Sequence, residues 1–323
     1  MAAVVEAIIP GDTGALHPLV VLVGPTASGK TSLALKLAEQ FDGEIVSCDA
    51  VAVYRGLDIG SAKPTPAERS RVPHHAIDIL DADAPSTAGD YARAARAALA
   101  EIKARGRLPI VTGGTGLYLR ALLEGLAPAP PRDEELRARL RKRTAQHGSE
   151  YLHRLLKRLD PAAAAAIHPN DVPKMIRSVE VTLAGRQRQS EQWQAGRDRL
   201  QGFRVLQMGL SPPRVALYGR IDERAARMFD VGLLEETEAA RERYGDACRA
   251  LGSLGYAQAL AVLRGEMSRA EAIEAAQQGH RNYAKRQMTW FRRDKQIEWL
   301  AGFGDNADVQ ARAAEVVSQH VVG

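Results

Sequence analysis

Gly24, Gly29, Lys30 and Thr31 stand at the spacing G-x-x-x-x-G-K-[ST] within VVLVGPTASGKTSLALKLAEQF, residues 20–41. In such a loop successive backbone N–H groups turn inward and form an anion nest, reinforced by the positive end of the following helix. Lys30 adds a point charge, and the Thr31 hydroxyl is placed to take Mg2+. The pattern specifies a polyphosphate. It does not say whether that phosphate is broken, passed on or discarded.

Four further groups carry chemistry. Asp49 ends the stretch GEIVSCDA, 43–50. An acid there serves as an Mg2+ ligand or as a general base for an incoming nucleophile; a loop-capping aspartate looks the same. In GGTGLY, 113–118, the glycines permit close backbone approach and Thr115 can donate or accept a hydrogen bond, although a tight turn shares this composition. In HRNYAKRQMTWFRRDK, 280–295, Arg281, Lys285, Arg292 and Arg293 are interleaved with Tyr283, Trp290 and Phe291, and the local charge is +5. Cations hold phosphates while aromatic faces stack on unpaired bases; an amphipathic helix packed on a core is the alternative. HPNDVPKMIRSVE, 168–180, opens with a helix-start signal and places Lys174 and Arg177 on one helix face.

Strand ends must bring these groups together. PLVVLVG, 18–24, is a β-branched apolar run that predicts a buried parallel strand. KTSLALKLAEQF follows with helix-compatible Leu33, Leu35, Leu37 and Phe41, so the glycine loop sits between strand and helix as its chemistry requires. A second strand ends at Asp49, and a third, in RLPIVTGGTGLY, 107–118, ends before Thr115. Ligand-binding residues in open α/β sheets gather beyond the carboxyl ends of strands, so all three groups are expected in one cleft. YRGLDIGSAKPTPAE predicts a loop, and TAGDYARAARAALAEIKARG, 87–106, a capped helix.

At APAPPR, 127–132, the composition shifts, and 133–200 is helical and charged with no convincing strand. A strand signal returns at FRVLQMGLSP, 203–212; a mainly helical stretch and a last edge strand in QIEWLAG, 296–302, follow. The expected architecture is α/β: a P-loop NTPase-like parallel sheet core flanked by helices, with an all-helical insertion domain. The core takes 1–126 plus 201–323 and the insertion 127–200.

Bulk composition agrees. The chain has 323 residues, enough for one large domain or two ordinary ones, with 45% hydrophobic and 26% charged residues, as a packed core needs. Aromatics make up only 5% and alanine is abundant, which favours helices over an all-β sandwich. The net charge of +5 equals that of the 280–295 segment alone, a patch suited to polyanions. Two cysteines, Cys48 and Cys248, form no C-x-x-C pair, so neither a zinc site nor a disulfide framework is expected and the setting is a reduced cytoplasm. The first 18 residues lack a basic n-region and contain Glu6, Pro10 and Asp12, unlike a signal peptide. No run reaches the ~18 apolar residues a membrane helix needs.

GPTASGKT, SCDAVAVYRGLDIGSAKP, TGGTGLYLRALLEGL, IHPND and AKRQMTWFR occur in one order from about residue 19 to about residue 300. Together they resemble tRNA dimethylallyltransferases, the bacterial tRNA isopentenyltransferase family. DIGSAKP and AKRQMTWFR are far more specific than a phosphate loop. The resemblance implies transfer of a dimethylallyl group from dimethylallyl diphosphate to the exocyclic N6 of an adenosine. That adenosine lies just 3′ of the anticodon in tRNAs reading codons that begin with U. It implies a P-loop core and helical insertion that clasp the anticodon stem-loop, a flipped target base, and Mg2+ accompanying the diphosphate. A monomer with no membrane or protein partner is expected.

Carried over by residue, the resemblance places the general base on Asp49 and the diphosphate loop on Gly24, Pro25, Thr26, Ala27, Ser28, Gly29, Lys30 and Thr31. Thr26 falls near the reacting centre, and a catalytic arginine falls on Arg224 in RIDERAARMF. Contacts to tRNA fall on Asp49, Ala50, Val51 and Ala52, on Thr115 and Arg137, and on Pro173, Lys174, Met175, Ile176 and Arg177. They fall also on Gly252, Ser253, Leu254, Gly255, Tyr256 and Ala257, and on Arg281, Lys285, Arg286, Gln287 and Thr289. Where many members read D-S-x-Q-x-Y, this chain has Ala50 and Ala52 for the Ser and Gln, and Lys174 replaces the usual Arg. The latter keeps charge but loses bidentate geometry.

Two other classes use a phosphate loop. A small-molecule kinase would need an arginine-bearing lid and no basic aromatic segment. A non-catalytic RNA-binding switch would need no acid in the cleft.

Overall fold

The computed structural model describes residues 16–127, 129–185, 187–194 and 198–322. Most of the stretch compared above with a signal peptide lies outside the described residues.

In chain order the first compact unit holds β1 (His17–Val23), α1 (Lys30–Gln40), β2 (Gly43–Cys48), α2 (Pro66–Arg71), β3 (His74–His75), α3 (Ala88–Ala104), β4 (Leu108–Gly113) and α4 (Gly116–Leu123). The helical unit, Glu124–Arg199, follows with α5 (Glu134–His147), α6 (Ser149–Leu159), α7 (Pro161–Ala166), α8 (Val172–Gly185) and α9 (Gln189–Gln194). The first unit resumes at Leu200 with β5 (Phe203–Leu210), α10 (Arg214–Asp230), α11 (Leu233–Tyr244), α12 (Tyr256–Leu263), α13 (Arg269–Phe291), β6 (Glu298–Leu300) and α14 (Ala307–Val322). The Leu200 N–H donates to the Leu123 carbonyl at 2.9 Å, so the chain leaves and re-enters this unit at adjacent residues. Among the described residues no helix is long and apolar enough to cross a membrane.

The strands form one sheet, ordered β3-β2-β4-β1-β5-β6, with every pairing parallel. β1 lies between β4 and β5 and is apolar on both faces, as a strand covered on both sides must be. Val20 and Leu22 pack with Leu33 and Leu37 of α1 and Val309 and Val317 of α14. Leu19, Val21 and Val23 point the other way, into the core with Tyr91 and Leu99 of α3 and Leu122 of α4. Because all strands run one way, the phosphate loop, Asp49 and Thr115 all emerge at one edge of the sheet, as expected.

The sequence reading gave 54–68 as loop throughout; α2 begins within it. Thr65 caps this helix, accepting from the Glu68 N–H while Glu68 reaches back to the Thr65 N–H, with Pro66 in the first turn. That signature stands in the sequence as T-P-A-E, masked by the prolines around it.

The helical unit has its own core of Leu140, Leu152, Leu156, Ala163, Met175, Ile176 and Val179. Buried Asp160 caps α7 through the Ala163 N–H and holds the Ser190 N–H (2.8 Å) and hydroxyl (2.7 Å) of α9.

Candidate functional site

The loop from Gly24 to Gly29 turns into α1 through Gly29, whose φ of +87° favours glycine. A side chain there would also collide: its Cβ would lie 2.8 Å from the Gly304 backbone nitrogen. That close approach lets the Gly304 N–H donate to the Ser28 carbonyl at 2.9 Å, so the segment before α14 braces the loop.

Beyond the strand ends lies a cleft, partly open to solvent, whose walls include Thr26, Lys30, Thr31, Asp49, Arg224 and Gln287. Lys30 Nζ donates to the carbonyls of Gly24 (3.1 Å) and Pro25 (2.7 Å). Burial, assisted by the Arg224 charge and opposed by Asp49, pulls the Lys30 ammonium down to about 7. Burial likewise lowers Arg224, against the attraction of Asp49. Two desolvated cations with one acid beside them form a site that gains from an incoming anion.

Asp49 is the first residue after β2. Its Oδ1 accepts from the N–H groups of Val51 (2.8 Å) and Ala52 (3.2 Å), which leaves Oδ2 outside that turn. The loop-capping role and the chemical role thus coexist on one carboxylate. Thr115 Oγ1 accepts from the Ala50 N–H at 3.1 Å and fixes the backbone next to Asp49. Tyr283 of α13 is pushed up to about 12 by burial and by the Asp49 charge. Cys48 is pushed up to about 12, mainly by burial, which makes it an inert thiol.

Gln287, also on α13, spans the cleft. Its Oε1 accepts from the Thr26 N–H at 2.8 Å, and its Nε2 donates to the Gly114 carbonyl at 3.0 Å. A Cβ at residue 114 would lie 1.9 Å from that Nε2, so the glycine there makes room for a side chain of α13.

The DIGSAKP segment forms one wall. Lys63, with a side chain 1% exposed, donates to the Tyr54 carbonyl, Asp58 Oδ1 and Asp78 Oδ1, each at 2.6 Å. The N–H groups of Asp58, Ile59 and Gly60 converge on the Glu236 carboxylate, which also accepts from the Tyr256 hydroxyl. Sequence reasoning gave no role to Lys63 or Glu236; for Lys63 the available signal was the specificity of the motif that holds it, and Glu236 lies outside that motif. It also missed His74, which lines the cleft. Its Nδ1 donates to the Val72 carbonyl at 2.8 Å, and its buried Nε2 has no partner among the described residues.

A model of the family described as IPP transferase matches residues 52–294, and one described as isopentenyl transferase matches 17–76. The chain is 59% identical to a tRNA dimethylallyltransferase of Koribacter versatilis, over 93% of this chain and 97% of that protein. It is 51% identical to one of Solibacter usitatus, over 94% and 98%.

The chain belongs to the IPP transferase family.

The family's solved structures agree. A tRNA isopentenylpyrophosphate transferase of Bacillus halodurans superposes with a TM-score of 0.70 at 35% identity, covering 95% of this chain and 97% of that one. A eukaryotic dimethylallyltransferase acting on tRNA gives 0.78 at 24% identity, over 94% and 80%, and shows the shared fold. The resemblance drawn from the motifs therefore holds, and this IPP transferase family member is a transferase.

Within it the cleft brings together Thr26, Lys30, Thr31, Asp49 and Arg224. Arg224 Nη1 donates to Thr26 Oγ1 at 2.8 Å. Hydroxyls of Thr31, Ser47 and Thr112 and the Asp49 carboxylate offer only hard oxygen donors. Such a set fits Mg2+, which retains several waters and takes one or two protein ligands. Among the described residues no cluster of three or more His, Cys, Asp or Glu is disposed for a metal.

The residues aligned with tRNA contacts are placed unevenly. On α13 Lys285, Arg286 and Thr289 are exposed, whereas Arg281 is ion-paired with Asp222 and Gln287 is 5% exposed. Gly252 is exposed, Ser253, Leu254 and Ala257 are half-buried, and Gly255 and Tyr256 are buried. In the helical unit Pro173 and Lys174 are exposed, with Lys174 paired to Asp171, while Met175 and Ile176 are core residues. Arg177 (2.7 Å) and Arg137 (3.5 Å) share the buried Glu180. Beside Asp49, Ala50 and Val51 are half-buried and Ala52 is buried.

Proposed function

We propose that this chain transfers a dimethylallyl group from dimethylallyl diphosphate to N6 of the adenosine 3′-adjacent to the anticodon, in tRNAs reading codons that begin with U. Diphosphate is released. The observation that carries this reading is the meeting of one acid, Asp49, with a phosphate loop and two half-buried cations, Lys30 and Arg224, in a single cleft. The names of the relatives at 59% and 51% identity support tRNA as the acceptor. Such a substrate places the reaction in the cytoplasm.

The allylic carbon–oxygen bond breaks readily because the resulting cation is delocalised, and its electron pair leaves with the diphosphate. Loop N–H groups, Lys30 and Arg224 receive that charge from fixed positions, which needs no reorganisation at the moment of reaction. Thr26, a residue of that loop, is held by Arg224 and would face the reacting carbon. The N6 lone pair forms the new carbon–nitrogen bond, and Asp49 takes the proton that N6 sheds. Thr31 would hold Mg2+, which would supply further neutralisation of the leaving group. The amine is out of reach inside a base stack, so the adenine must swing out, at a cost of a few kcal/mol that an unpaired anticodon loop reduces.

The test is incubation with unmodified tRNA, Mg2+ and labelled dimethylallyl diphosphate. Label in the tRNA is the expected result. Unlabelled tRNA alongside phosphate transfer from ATP to a small hydroxyl compound would replace this reading with a kinase.

A further inference from the structure

Among the described residues no sheet ladder continues beyond the strand ends to tie the phosphate loop to the neighbouring loop. The β1–β4 ladder ends at Val23 and Gly113, and the β2–β4 ladder at Cys48 and Gly113. Gln287 sits past that end and behaves as one more rung. Like a peptide group, its amide accepts an N–H from one loop, at Thr26, and donates to a carbonyl of the other, at Gly114. Both bonds have ordinary length, and the Gln287 side chain is buried, where an amide left unpaired is costly.

What lies at either end gives the bridge its consequence. Thr26 holds Arg224 through its hydroxyl, on the diphosphate side. The residue after Gly114 is Thr115, whose Oγ1 holds the Ala50 N–H beside Asp49. A continuous set of hydrogen bonds thus runs from Arg224 through Thr26, Gln287 and the Gly114–Thr115 turn to the backbone of the acid. We propose that Gln287 is a positioning residue, not a tRNA contact: it sets the separation between the phosphate loop and Asp49. This rests on the prenyl-transfer reading for its effect on rate, though not for its effect on the loop. Its neighbours Lys285, Arg286 and Thr289 face solvent, while Gln287 points inward from the same helix. Proximity in sequence to RNA-facing residues therefore says nothing of its own role.

Two variants test this from opposite ends. Gln287→Met keeps the length and loses both bonds. Gly114→Ala leaves Gln287 in place but puts a Cβ 1.9 Å from its Nε2, which a flexible side chain can escape only by giving up the bridge. The readouts are the Kd for unmodified tRNA, the Kd for inorganic pyrophosphate with Mg2+, and kcat and KM for dimethylallyl diphosphate.

Both variants are expected to bind tRNA within about twofold of wild type, to bind pyrophosphate more weakly and to lose about 10²-fold in kcat, as a misplacement near 1 Å does. Weakened tRNA binding with pyrophosphate affinity and kcat intact would make Gln287 an RNA contact and overturn the proposal. Wild-type values throughout would overturn it equally. If Gln287→Met loses every property together it has failed to fold, and Gly114→Ala then decides. Pyrophosphate binding is read without turnover, so failure of the prenyl-transfer reading would leave this measurement standing.

Discussion

Arg224 Nη1 donates to Thr26 Oγ1 at 2.8 Å, joining α10 to the phosphate loop across 198 residues of sequence. The side chain is half-buried, and its charge reaches both Lys30 and Asp49. In the proposed reaction it would feel charge develop on the departing diphosphate. Arg224→Ala should lower the single-turnover rate by about 10²–10³-fold, the loss typical of one fixed electrostatic donor. Arg224→Lys should recover only part, since the ammonium lacks the planar fork. Near-wild-type rates in both would remove Arg224 from the chemistry.

Asp49→Asn isolates the base. The asparagine carbonyl can still accept from the Val51 and Ala52 N–H groups, so the turn after β2 should persist. Turnover should fall by about 10²–10⁴-fold while tRNA affinity stays near wild type. A variant that turns over normally would rule out proton transfer to Asp49.

Lys30 should make diphosphate binding pH-dependent. Its ammonium is lowered to about 7, so it loses its proton as pH rises through that value. A bound anion favours the charged form, so binding above this pH draws in a proton and affinity should fall as pH rises. Calorimetry of pyrophosphate binding in buffers of differing ionisation enthalpy should show that uptake, and Lys30→Met should abolish it. Equal uptake by the variant would assign the proton to pyrophosphate itself.

Lys285 faces solvent and has no side-chain ion pair among the described residues, whereas Arg281 is held by Asp222. Lys285→Ala should weaken tRNA binding and flatten the slope of log K against log salt by about one unit. Arg281→Ala should change that slope less. An unaltered slope for Lys285→Ala would mean that this side chain touches no phosphate.

Lys63→Met should unfold at lower denaturant, by about 2–3 kcal/mol, because it leaves two aspartates and a carbonyl without their buried donor. An unchanged midpoint in urea would show that the DIGSAKP wall holds without it.

Local chemistry was legible in the sequence. The glycine spacing, the apolar run before it and the helix after it mark a phosphate loop within a few turns of chain, although Gly304 and Gln287 brace it from far along the sequence. The parallel order of strand, loop and helix placed Asp49 and Thr115 at the same edge, since strands of one direction share their carboxyl ends. The capping box of α2 was equally local and was obscured by neighbouring prolines.

Which way a side chain faces, and whether a charge is spent, only the tertiary structure decided. Spacing alone did not mark Arg224, which was carried over by resemblance; its bond to Thr26 comes from the fold. Gln287 lies among solvent-exposed residues, yet it bonds a loop 261 residues away. Lys63 and Glu236 look like surface charges and are instead the fasteners of a wall. Interactions of that reach depend on how separate elements pack, and one-dimensional spacing does not encode them.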